Sequence, residues 1–214
     1  MQIQMFLLFV CFVASVDAIR VGAFNIQVFG REKLRDAQVA QTIAKIVSRY
    51  DLLFVQEIRD LSGEAFPQLV AEVQKISGRK FDFVISERLG RTDSKEQYAY
   101  LFDRSKQISV ASTWVAASRK FERPPFVADI RIGKNRVAFI GLHATPSDVA
   151  NELGAIPAVL RDVEERLGKG IPQVILGDLN ADCAYLCASC MSGVKLHSDK
   201  KVKDWGKTDF FFFF

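Results

Sequence analysis

Histidine is scarce in this 214-residue chain; there are two, His143 and His197. Neither stands at ligand spacing from the cysteines, so a cysteine–histidine zinc centre is not indicated. Cysteine is also sparse, and three of the four, Cys183, Cys187 and Cys190, crowd into one short stretch. With Cys11 in a removable leader, that odd number leaves at least one thiol unpaired in an oxidising compartment. No Asn-x-Ser/Thr triplet occurs, so N-glycosylation is not expected. No apolar run reaches the roughly 20 residues needed to span a bilayer: the run at 5–16 and the five phenylalanines at 210–214 are both too short. Internal repeats and long polar linkers are missing too, which argues against solenoids and disordered connectors.

What is present is an ordinary globular composition, 49% hydrophobic and 25% charged. Residues 1–18 read as a secretory signal: an apolar run, then Val16-Asp17-Ala18, the small-residue pattern a signal peptidase accepts. That reading makes the protein secreted and starts the mature chain at Ile19. One domain is expected over residues 19–209, followed by an aberrant phenylalanine tail at 210–214. The formal net charge of +4 is compatible with a polyanionic partner without specifying one.

Along the chain, apolar runs alternate with helical patterns. Strands are expected at 19–26, 52–56, 81–86, 98–102, 108–115, 126–132, 137–142 and 173–176. Helices are expected at 33–50, at 66–76, and from an N-cap at Ser147 to about Leu167. Strands outnumber helices, and several neighbouring strands have no helix between them. That pattern predicts an α+β domain with sheets packed face to face and helices outside.

Four apolar segments deliver polar side chains at or near a strand end. AFNI carries Asn25, LFVQE finishes at Glu57, VAFIGLH at His143, and VILGDLN at Asp178 and Asn180. Each alone has an ordinary explanation as a turn, solvated or structural residue. Gathered at one edge of the sheets, they would form a polar cluster on a rigid support. Carboxylates and amides with little histidine suit a hard cation, Mg²⁺ or Mn²⁺. Such an ion neutralises charge developing on a phosphodiester, and His143 could move a proton if a carboxylate holds its ring.

The segments AFNIQVFG, VQEIRD, SERLGRTDSKEQYAYLF, GLHATPSD and GDLNADCAY together resemble the deoxyribonuclease I family, in order and in spacing. The resemblance runs from Ile19 to about Trp205. It implies a four-layered sandwich of two mixed β-sheets packed face to face and flanked by helices, here lacking its last strands. The implied activity is metal-dependent endonucleolytic hydrolysis of DNA phosphodiesters with little sequence specificity. By the resemblance Glu57 is the principal metal carboxylate, and Asn25, Asp178 and Asn180 are its companions. His143, Glu96 and Asp178 are catalytic: Glu96 partners His143, and Asp178 orients the attacking water. Arg59, Arg91, Arg123 and Tyr185 fall where the family contacts DNA. The implied cofactors are Mg²⁺ or Mn²⁺, with Ca²⁺ a further candidate, and the implied partner is double-stranded DNA. Actin, a partner of some relatives, is raised by the resemblance, and no residue pattern here specifies it.

The chain also departs from the family pattern. A second catalytic histidine, in a Ser-Asp-His triplet near the family's C-terminus, has no counterpart here; His197 sits in the reverse order, HSD. The expectation is therefore an incomplete domain with activity reduced or lost, the alternative function being a catalytically inactive relative that only binds. The resemblance also puts the disulfide partner of Cys183 in the missing part, with a Cys183–Cys190 pair as a substitute. Gln27 replaces a common arginine and Ser94 a common aromatic, and the calcium-binding loop of some members is shortened around 118–123.

Overall fold

The computed structural model describes residues 18–181. The leader, Tyr185, the cysteines, His197, the phenylalanine tail and the question of final strands all lie outside the described residues. Eight strands form two sheets. The first contains β1 (Val21–Phe29), β2 (Leu52–Ile58), β3 (Phe81–Ile85) and β4 (Gln97–Asp103). The second contains β5 (Ile108–Val115), β6 (Phe126–Ile132), β7 (Asn135–Gly141) and β8 (Gln173–Leu176). Their orders are β1-β2-β4-β3 and β5-β6-β7-β8. Both are mixed: β1 and β2 run parallel, as do β7 and β8, and the remaining pairs are antiparallel.

Strand alternation explains the layering. On β2, Leu52 and Phe54 face a core shared with Ile108, Phe126, Ala128, Ile130 and Phe139 of the second sheet, whereas Leu53 and Val55 face the helices. The two helices α2 (Ala37–Val47) and α3 (Ala65–Ser77) cover the outer face of the first sheet. The long helix α4 (Val149–Leu167) covers that of the second through Val149, Leu153, Ile156, Val159 and Val163. The result is the expected helix–sheet–sheet–helix sandwich. No helix among the described residues is long and apolar enough to cross a membrane.

Two expectations need correction. The helical pattern at 33–50 is not one helix: α1 (Arg31–Arg35) ends at Asp36, whose extended backbone (φ −74°, ψ 102°) breaks the run. Its carboxylate accepts the Gln38 and Val39 N–H groups and so starts α2 afresh. Apolar spacing alone cannot show such a restart, because the stripe continues across it. Likewise α4 begins after Asp148, not Ser147, and the Asp148 side chain caps no backbone N–H. Asp148 Oδ1 accepts instead from the Asn151 side-chain amide.

The sheets approach closely at Gly141, the last residue of β7. A Cβ built there would lie 2.0 Å from Phe54 Cε2. Phe54 also touches Tyr98 and Tyr100, with ring centroids 5.3 and 5.0 Å away, so the ring has little room to retreat. Gly141→Ala should therefore destabilise the fold by about 1–3 kcal/mol, the usual range for overpacking. Denaturant unfolding of Gly141→Ala, Phe54→Leu and the double variant tests this: the alanine's cost should shrink when the ring is gone. Equal cost in both backgrounds would refute the contact as its cause.

Candidate active site

Two consecutive irregularities shape one end of the first sheet. The β1–β2 register slips between Asn25 and Phe29, and the β2–β4 register slips between Val55 and Ile58. Within these bulges Gln27, Val28 and Glu57 have positive φ, 48°, 50° and 59°. For non-glycine residues, and a β-branched valine above all, this conformation costs about 1–3 kcal/mol each. Surrounding contacts hold it. Lys33 Nζ of α1 donates to the carbonyls of Ile26 and Gln27. The Gln27 N–H donates to Asn25 Oδ1 at 2.9 Å, and the Val28 N–H donates to Glu57 Oε2 at 2.8 Å. The bulges thus turn Asn25 and Glu57 toward one another.

The second sheet supplies the facing half. Beyond β8, Gly177 has φ +135°, and a Cβ there would lie 1.9 Å from the Leu142 carbonyl oxygen, so only glycine fits. The chain then delivers Asp178 beside β1: Asn25 Nδ2 donates to Asp178 Oδ2 at 3.2 Å and to Glu57 Oε1 at 2.9 Å. The Asn180 amide donates to the Ala144 carbonyl at 2.8 Å, and the Ala144 N–H donates to the Asp178 carbonyl at 2.9 Å. Residues 144 and 178–180, adjoining β7 and β8, are thereby stitched together.

His143 follows β7 and is 6% exposed. Its Nδ1 lies 2.7 Å from Glu96 Oε1, and its Nε2 faces Glu57 Oε1 at 4.0 Å. The His143 N–H donates to the Tyr98 hydroxyl at 3.1 Å. Glu96 itself is fully buried and sits between two guanidinium groups: Arg59 Nη2 is 3.6 Å from Oε2, and Arg123 Nε is 3.4 Å from Oε1. A buried carboxylate needs this compensation.

The site residues expected from the sequence therefore fall into two groups. Asn25, Glu57, Glu96, His143, Asp178 and Asn180 come together, as do Arg59 and Arg123. Arg91 lies on the surface, its Nε 3.0 Å from Glu122 and its N–H on the same carboxylate. Arg123 is buried against the His143 carbonyl and Glu96, not displayed to solvent. Asn25 offers its NH₂ to the two carboxylates while its oxygen is turned to the Gln27 N–H. The sequence reading passed over Tyr98 and Glu152. The signal for Glu152 was present: a carboxylate three residues after Val149, on the apolar stripe of α4.

Burial alone would raise the Glu57 pKa, but the Asn25 amide, the Val28 N–H, His143 and Arg59 outweigh it and hold the carboxyl below its ordinary value. Glu57, Glu96 and His143 each present a ligand atom within 4.8 Å of the others, an arrangement able to hold a metal ion. The shortest link in that trio is the Glu96–His143 hydrogen bond, while the Glu57 and Asp178 oxygens are drawn to one Asn25 amide.

The model of the Endonuclease/Exonuclease/phosphatase family matches residues 22–186, which span both sheets and this polar end of the sandwich. Among individual proteins, the chain is 34% identical to mouse deoxyribonuclease-1-like 2 over 89% of its length and 70% of that protein's. It is 32% identical to bovine deoxyribonuclease-1 over 85% of its length and 67% of that protein's. Within the larger family, the chain belongs to the deoxyribonuclease I family. Solved structures agree on the fold: sphingomyelinase C from Streptomyces griseocarneus (TM-score 0.56, 14% identity, 85% of this chain and 70% of that one) is similar. So is an endonuclease/exonuclease/phosphatase family protein from Bacteroides thetaiotaomicron (TM-score 0.54, 15% identity, 81% and 67%).

A lowered carboxyl pKa has a defined sign. The stability contributed by Glu57 is complete above its unfolded value of about 4.3 and is lost as pH falls through the lower folded value. A carbon-13 titration of the metal-free protein should place the Glu57 midpoint below that of an ordinary exposed glutamate. Asn25→Ala should move it upward. An unchanged midpoint would remove Asn25 as a cause.

Proposed function

We propose that this protein is a secreted, metal-dependent endonuclease that hydrolyses phosphodiester bonds of double-stranded DNA with little sequence preference. The observation that carries this reading is the His143 ring, held by buried Glu96 at Nδ1 while its Nε2 faces the Glu57–Asn25–Asp178 group. Glu57 and Asp178 are the oxygen donors that would hold Mg²⁺ or Mn²⁺; the ion would supply counter-charge for the phosphate oxygens.

Hydrolysis adds a water oxygen to phosphorus and breaks the bond to the leaving sugar oxygen, which must gain a proton. With Nδ1 engaged by Glu96, His143 Nε2 is the atom that moves a proton. Asp178 faces the same space and orients the attacking water. The Asn25 amide holds the Glu57 and Asp178 carboxylates at a fixed separation, so no reorganisation is needed when charge develops. Arg59 and Arg123 act on Glu96 first, flanking the carboxylate that meets the His143 ring. Their charge also draws a polyanion to this end of the sandwich. Secretion is proposed on the apolar segment and small-residue pattern within residues 1–18.

Full-length purified protein should relax supercoiled plasmid in Mg²⁺ and stop when EDTA is added. His143→Ala and Glu57→Ala should each lower the rate about 10²–10⁴-fold, the range for lost acid–base and charge-stabilising groups. Plasmid binding without nicking by the parent chain would leave the binding-only reading in its place. Nicking undiminished in both variants would discard the site.

A further inference from the structure

One buried carboxylate has no part in the chemistry above. Glu152 projects from the first turns of α4 and is fully buried, on the same helix face as Val149, Leu153 and Ile156. Periodicity calls for an apolar residue there. Its two oxygens serve two separate loops: Oε1 accepts the Glu122 N–H at 2.6 Å, and Oε2 accepts the Thr145 N–H at 2.9 Å. Burial works to raise its pKa, and the two N–H groups and Arg123 offset that only in part. Keeping a carboxylate at this depth is costly unless its bonds are made, and an apolar residue would pack there without that cost.

The two loops it ties flank the active site. Glu122 directly precedes Arg123, whose Nε rests on Glu96 and on the His143 carbonyl. Thr145 follows Ala144, whose N–H and carbonyl bond the 178–180 segment. We infer that Glu152 is a positioning residue: by clasping the Glu122 and Thr145 backbones it sets Arg123 and His143 in register against Glu96. It acts through those residues and touches none of the reacting atoms. The inference rests on the proposed nuclease function for its kinetic consequence and on the structure alone for its clasp.

Glu152→Gln keeps the size of the side chain but can accept at one oxygen only, and Glu152→Ala removes both acceptors. Exposed Glu165→Gln on the same helix serves as the control. Displacement of a catalytic group by about 1 Å can cost on the order of 10²-fold. In the full-length protein, Glu152→Gln should thus lower kcat for plasmid nicking by roughly tenfold or more. KM and Tm should stay close to those of the control. Amide exchange at Glu122 and Thr145 should quicken in both Glu152 variants while the middle of α4 stays protected. The ring signal of His143, one of two histidines in the chain, should shift. Unchanged kcat with an unchanged ring signal would overturn the positioning role. So would a loss of activity that merely follows a fall in folded fraction. If the parent chain does not nick DNA, the nuclease reading fails on its own; the clasp then stands or falls on exchange at Glu122 and Thr145, and unchanged protection there overturns it.

Discussion

A fully buried carboxylate, Glu96, is the constraint around which the rest of the site is arranged. An ionised carboxyl cannot stay at that depth without partners. Those partners come from both sheets: Arg59 from the segment after β2, Arg123 from the loop before β6, and His143 from the end of β7. Satisfying one charge therefore locks the two sheets together at the end where chemistry would occur. The opposite end of the first sheet carries a different ionic group, Arg79 bridging Asp51 and Asp103, which stays within that sheet and its connections.

Close approach of the sheets makes this possible. Gly141 lets β7 settle against Phe54, and Gly177 lets the chain turn under the Leu142 carbonyl. Both glycines immediately precede the segments that carry His143 and Asp178. On the other side, the positive-φ residues Gln27, Val28 and Glu57 hold local strain that Lys33 and the side-chain-to-backbone bonds maintain. Preorganisation here is a matter of backbone geometry fixed on rigid strands, with loops tied down from behind by Glu152.

Much of this was legible in advance. Among the described residues every strand was found within a few residues, because each carries an apolar face that has nowhere to go except a core. The five polar residues at strand ends, Asn25, Glu57, His143, Asp178 and Asn180, were picked out for the same reason: polar groups at the end of a buried run stand out, whereas Glu96 was marked only by the family resemblance. What misled was the helical stripe across Asp36, where a local cap interrupts a pattern that hydrophobicity continues. Arg123 was another case; the family resemblance marked it as a contact to DNA, and its burial follows only from Glu96 and the His143 carbonyl lying opposite. Glu152 shows the converse, a buried charge whose reason lies thirty residues away at Glu122.

By itself the sequence determined the element order, the faces that must be buried, and the family resemblance carried by its short motifs, since these depend on local periodicity and residue type. Only the tertiary structure decided which side chains share a pocket, which end of the Asn25 amide faces which neighbour, and which arginines are already paired. Those depend on sheet register and close packing between segments as far apart as Asn25 and Asp178, and local pattern carries no record of such distances.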